Sequence, residues 1–126
     1  MDQDRERRRE GETSPAAAFL DLHAILESIP EPVGLVDRAG RILAFNGPAR
    51  RVVFTARTQS VALGDDLFSF ISPHNMAGVR GSLERAFSGE VHTHRTEAAG
   101  HHFETVYSPV RGPCGEVAAV SIRVKD

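Results

Sequence analysis

Val33-Gly34-Leu35-Val36-Asp37-Arg38-Ala39-Gly40-Arg41-Ile42-Leu43-Ala44-Phe45-Asn46 reads as one tight β-hairpin, and the rest of the chain is placed relative to it. Two apolar runs, 33–36 and 42–45, flank Asp37-Arg38-Ala39-Gly40. An Asp can bond its side chain to backbone groups ahead of it, and a Gly can take the positive φ that closes a short loop. Pairing Val36 with Arg41 sets Leu35 opposite Ile42 and Val33 opposite Ala44. Directly opposed residues share a face, so Val33, Leu35, Ile42 and Ala44 are expected on one face. Val36, Leu43 and Phe45 are expected on the other. Both faces are apolar, so the hairpin should be covered on both sides.

The chain has 126 residues, the length of one domain. A domain of this size buries about two thirds of its unfolded surface and needs no disulfide or metal to fold. The single cysteine, Cys114, excludes an intrachain disulfide and fits a reducing compartment. No apolar run approaches transmembrane length and no signal-peptide pattern is present, which points to a soluble, cytoplasmic protein with no membrane partner. A net charge of −2 with interspersed signs gives no electrostatic case for nucleic acid. With no Trp and one Tyr, base-stacking platforms are scarce as well.

Residues 1–12 form a charged head with no apolar side chain to bury after Met1, which reads as disordered or frayed. Thr13-Ser14-Pro15 starts a helix, with a hydroxyl N-cap followed by Pro at the first helical position. The segment 13–29 is therefore an amphipathic cap helix, stopped by Pro30 and Pro32. Phe19, Leu22, Ile25, Leu26 and Ile29 recur at helical spacing. A helix this short is marginal alone, so the stripe must dock, and Val36, Leu43 and Phe45 are the nearest candidates.

Asn46-Gly47-Pro48 caps a second helix over about 49–54, and 55–66 is polar and irregular. Leu67 to Ile71 is a short apolar turn. Ser72-Pro73 opens a strong helix whose inner face carries Met76, Val79, Leu83 and Ala86/Phe87, ended by Gly89. The remainder reads as strands 91–97, 101–110 and 116–125. Helices segregated to one face of an antiparallel sheet make the fold α+β.

This order of elements resembles the PAS domain family over about Leu26 to Asp126. The residues that carry the resemblance begin with Asp37-x-x-Gly40-Arg41-Ile42, then Phe45-Asn46-x-Pro48-Ala49 and Gly64 before Leu67-Phe68. They continue with Pro73 opening the long helix, Ser88-Gly89-Glu90, Phe103-Glu104, Ser108-Pro109-Val110 and Gly115-Glu116-Val117. The resemblance implies a domain over 30–126: a five-stranded antiparallel sheet, curved round a small cavity, with helices on one face and the N-terminal helix on the other. Similarity to the flavin-binding branch implies that Phe103, Thr105 and Tyr107 point inward beside Val120, Ile122 and Val124. Strand pairing then sets Val91, Thr93 and Arg95 inward and His92, His94, His102 and Glu104 outward.

Light-sensing relatives carry a Cys in the short helix before the long one, and 67–72 contains none, so flavin chemistry of that kind is not expected. Haem-binding relatives use a His midway along the long helix, where Val79 and Arg80 stand; His74 lies at its start, where a His is more often polar surface. No cofactor is expected. His92, His94 and His102, with Glu104, could converge on Zn²⁺ or Ni²⁺ if they share a face. Without a further ligand at fixed spacing they read instead as a polar outward face, so no metal is assigned. No hydrolase elbow, phosphate loop or Cys-x-x-Cys is present, and Asp65 and Asp66 read as turn caps.

Two functions fit. A sensory module would bind a small ligand among Leu35, Ile42, Ala44, Phe70, Val79, Leu83, Thr93, Phe103, Thr105, Tyr107 and Ile122, with Arg95 near the mouth favouring a carboxylate. The same side chains equally describe a solid core. A ligand-free interaction module would instead use Phe19, Leu22, Ile25, Leu26, Val36, Leu43, Phe45, Val106 and Ala119 as the interface of a symmetric homodimer. The resemblance implies a non-enzymatic signal-transduction piece, an N-terminal input to an output domain of a two-component sensor histidine kinase or similar protein. Met1 fits the N-terminal position, and Asp126 looks like the start of a linker. A small α+β enzyme is the remote alternative, since no nucleophile–base pair is visible.

Overall fold

The structure, a computed structural model, describes residues 15–52, 61–98 and 100–125. The charged head expected over 1–12 lies outside the described residues. Helix α1 spans Pro15–Glu27, followed by β1 (Val33–Val36), β2 (Ile42–Phe45) and α2 (Gly47–Val52). A 3-10 turn over Leu67–Phe70 leads into the long helix α3 (Pro73–Phe87). Strands β3 (His92–Ala98), β4 (His101–Arg111) and β5 (Val117–Lys125) complete the chain. The strands form one antiparallel sheet in the order β2-β1-β5-β4-β3. The fold is α+β, as the sequence predicts.

The first hairpin closes one residue tighter than expected. The Asp37 N–H donates to the Arg41 carbonyl (3.0 Å), and Asp37 Oδ1 accepts from the N–H groups of Ala39 (3.0 Å) and Arg41 (2.9 Å). Val36 opposes Ile42, but Leu35 opposes Ala44, so Leu43 is the extra residue of a β-bulge. Because Ile42 directly opposes Val36 it lies on the same side, and both enter the main core with Leu67, Leu83, Ala86 and Val120. Phe45 packs against that core, while Leu43 is exposed. Val33, Leu35 and Ala44 occupy the opposite face, as expected, but without Ile42.

Helix α1 consequently docks on Val33, Leu35 and Ala44 through Leu26 and Ile29. The expected seat of Val36, Leu43 and Phe45 is corrected: Val36 is buried in the main core, Leu43 is exposed, and Phe45 packs against the main core while its edge borders α1. Leu22 and Ile25 are exposed on α1, Ile25 by 61%, and the side chain of Phe19 lies outside the described residues.

Asn46, fully buried, ties these pieces together. Its Oδ1 accepts from the N–H of Val33 (3.1 Å) and of Ala49 (3.0 Å), the second bond capping α2. Its Nδ2 donates to the carbonyls of Leu26, Ile29 and Glu31 at 2.9–3.1 Å. A buried amide is tolerated only when its donors and acceptors are satisfied, and here one side chain holds the exit of α1, the start of β1 and the start of α2.

The β3–β4 hairpin also differs from expectation by one residue. Ala98 pairs with His101, which puts Arg95 opposite Glu104 and His94 opposite Thr105. A slip of one reverses every side chain of a strand. Thr93 and Arg95 therefore face outward, Arg95 in an exposed ion pair with Glu104 (3.1 Å). His94 takes the inward place assigned to them. The β4–β5 register agrees with the sequence reading: Thr105 opposes Val124 and Tyr107 opposes Ile122. In α3, Leu83 and Ala86 are buried, with Val79 and Phe87 packed beside them.

Candidate ligand cavity

Between the concave face of the sheet, the 3-10 turn and the first half of α3 lies an open cavity of about 760 Å³. Of the residues expected to line it, Ile42, Phe70, Val79, Thr105, Tyr107 and Ile122 meet on its wall. Leu35 borders it while packing in the α1-side cluster. Four others sit elsewhere: Ala44 is held under α1, Thr93 and Arg95 are exposed, and Leu83 is in the core behind the cavity. Phe103 is half-buried on β4 and not on the wall.

The polar groups come from two places. Along the sheet stand His94, Thr105 and Tyr107; at the opening of α3 stand Ser72, His74 and Asn75. Tyr107 is buried, and that burial pushes its hydroxyl up to about 12. A neutral phenol keeps its donor across the physiological range. The nearby Ser82 tempers the shift, although its own buried Oγ makes no hydrogen bond of full geometry.

His94 reaches across the cavity's β3 side to α3, where Gly78 has no side chain to obstruct it. A Cβ at Gly78 would stand 3.5 Å from His94 Nε2. Gly78 was not singled out from sequence, and His94 was weighed there only as a metal ligand on an outward face. The signal was present in the His92-x-His94 alternation, but a one-residue register choice sent it to the wrong side. His74, read as helix-start surface, is exposed and also borders the cavity.

The possible metal set is not brought together. His92 and His94 alternate with Thr93 on the cavity-facing side, whereas His102 opposes Glu97 and Glu104 opposes Arg95 on the other. Among the described residues no group of three His, Cys, Asp or Glu side chains could hold a metal ion. Cys114 is exposed in the β4–β5 turn. Asp65 and Asp66 act as the expected turn caps, accepting from the N–H of Ala62 (2.9 Å) and of Phe68 (3.0 Å).

Beside α1, Leu22, Leu26, Ala44, Leu63 and the edge of Phe45 line a shallow, mostly apolar groove of about 180 Å³, with His23 and Arg50 at its margin. Leu22, Ile25, Leu43 and Leu63 are exposed. Of the other expected interface residues, Val36 and Ala119 are buried and Val106 is half-buried. Among the described residues no helix is long and apolar enough to cross a membrane.

Comparison with curated proteins gives no match. Solved structures do share the fold. The PAS domain of BvgS from Bordetella pertussis superposes with a TM-score of 0.65 at 16% identity, over 86% of this chain and 85% of that one. A sensory box sensor histidine kinase from Vibrio cholerae gives 0.61 at 16% identity, over 88% and 93%. The phage VqmA–DPO complex gives 0.63 at 17% identity, covering 88% of this chain and 53% of that chain. A family model described as the PAS fold matches residues 26–126, from the docking residue Leu26 through the whole sheet. With that match over the same strands and long helix that enclose the cavity, the chain belongs to the PAS family.

Proposed function

We propose that this domain is a cytoplasmic, non-enzymatic sensory module that binds a small molecule on the concave face of its sheet and passes its occupancy to an output domain, of a histidine kinase or a similar signalling protein. The observation that carries the reading is the 760 Å³ cavity, mostly apolar with polar groups gathered on two sides. Its size lies within the usual range for small-molecule sites, about 300–1,000 Å³. Similarity in fold to a sensory box sensor histidine kinase, and to the phage VqmA solved as a complex with DPO, supports the same reading. Native mass spectrometry of the purified protein, followed by thermal shifts across a metabolite panel, tests it. Bare polypeptide mass together with no stabilising metabolite would reject ligand sensing.

A second role is compatible with the first. Leu22, Ile25, Leu43 and Leu63 give α1 and its surroundings an exposed apolar surface suited to a second copy. Sedimentation of the full chain and of Ile25→Glu tests this homodimer. A dimer that Ile25→Glu converts to monomer supports it; equal monomer mass for both removes it.

A further inference from the structure

Among the described residues, no Arg, Lys, Asp or Glu lines the cavity. The one cation that sequence placed at its mouth, Arg95, is on the opposite side of β3 and already paired with Glu104. What remains is an apolar body with hydrogen-bonding side chains at the edges. Val36, Ile42, Phe70, Val79 and Ile122 provide the first; His94, Thr105 and Tyr107 provide the second.

From this distribution we infer that the cavity selects an uncharged small molecule, largely apolar, with one polar end that accepts a hydrogen bond from the Thr105–Tyr107 stripe, and that it discriminates against carboxylates and ammonium groups. The inference rests on the ligand-binding reading above and names the class of ligand for that site. An ion entering such a cavity gives up hydration and meets no Arg, Lys, Asp or Glu among the described lining residues, whereas a neutral carbonyl or ring nitrogen loses little and finds donors. Thr105 and Tyr107 follow one another on the same face of β4, and His94 stands directly across from Thr105 on β3. The three groups therefore form one patch on the sheet rather than scattered contacts. The Tyr107 phenol keeps its proton, so it offers a donor at any working pH.

The test is a screen of the full chain at about pH 8 with fragments of matched size, divided evenly among neutral, anionic and cationic members. It should include 1-naphthaleneacetamide with the corresponding acetate and ethylamine. Binding is read by calorimetry on wild type, Thr105→Val and Tyr107→Phe, two near-isosteric changes that keep the cavity's shape. Neutral members are expected to bind about tenfold or more tightly than their charged counterparts. Their affinity should drop about three- to tenfold in at least one variant. Charged members binding as well as neutral ones would overturn the inference while leaving ligand sensing intact. Neutral hits indifferent to both substitutions would overturn the placement of the polar end. No binding by any fragment, to a protein that also purifies without a ligand, would overturn the sensory reading and this inference with it.

Discussion

Gly40 lies directly beneath the ring of Phe68: a Cβ on Gly40 would stand 2.8 Å from Phe68 Cε2. Gly40 also has φ +82°, and its carbonyl accepts from the Leu67 N–H at 2.8 Å, so the hairpin loop and the 3-10 turn are fastened together. Gly64 shares the positive φ, at +90°, but has nothing within 4 Å of its Cβ position. Substituting Ala at Gly64 should cost only the left-handed backbone penalty, about 1 kcal/mol. Gly40→Ala adds a collision with an aromatic ring that must move, for a total of about 2–4 kcal/mol. Urea denaturation of the two variants checks the order.

Asn46→Ala should destabilise the domain by about 3 kcal/mol, because it leaves the buried N–H groups of Val33 and Ala49 without their acceptor and removes the donor shared by the carbonyls of Leu26, Ile29 and Glu31. Asn46→Asp is the more informative change. A carboxylate still accepts from Val33 and Ala49 but cannot donate to Leu26, Ile29 or Glu31. It should therefore fail to restore stability at neutral pH, as followed by chemical denaturation.

Tyr107 is the only tyrosine and the chain has no tryptophan, so tyrosinate absorbance reports this one phenol. In the folded protein it should titrate near 12, against an unfolded value near 10. The raised value means that the unfolded chain loses this proton first. Its contribution to stability is complete below about pH 10 and is lost as pH climbs through about 12. Tyr107→Phe should flatten that part of the alkaline unfolding curve, measured as the denaturation midpoint against pH.

Arg95→Ala should change stability by no more than about 0.5 kcal/mol, because its ion pair with Glu104 is largely in solvent. It should also leave ligand affinity unchanged. Both expectations depend on the β3–β4 register, and a strong loss of binding would mean that Arg95 faces the cavity after all.

Much of the architecture could be read from the chain because its signals are local. Pro73 after Ser72 starts α3, Gly89 with φ +109° follows its end, and Asp66 caps the 3-10 turn. The β4–β5 alternation of Thr105, Tyr107, Ile122 and Val124 is likewise visible in the apolar pattern. The two hairpin registers were not legible. In each, one residue more or less in the connection is worth little locally, yet it reverses a face. Asp37 closing on Arg41 and the bulge at Leu43 moved Ile42 to the core and α1 to Val33, Leu35 and Ala44. The pairing of Ala98 with His101 replaced Thr93 and Arg95 by His94 in the cavity. His94 has an accommodating neighbour in Gly78, but nothing in the one-dimensional pattern couples two residues sixteen apart on different elements.

The carboxamide of Asn46 works as a splice. Because it grips the last turn of α1 and the first amide of β1 at once, the helix cannot tilt freely over the sheet while those bonds hold. A tilt of α1 either drags the β1 margin of the cavity along or tears the splice open. On the sensory reading proposed above, a displacement of α1 would thus be felt at the cavity wall, and a molecule wedging that wall apart would pull on α1 in return.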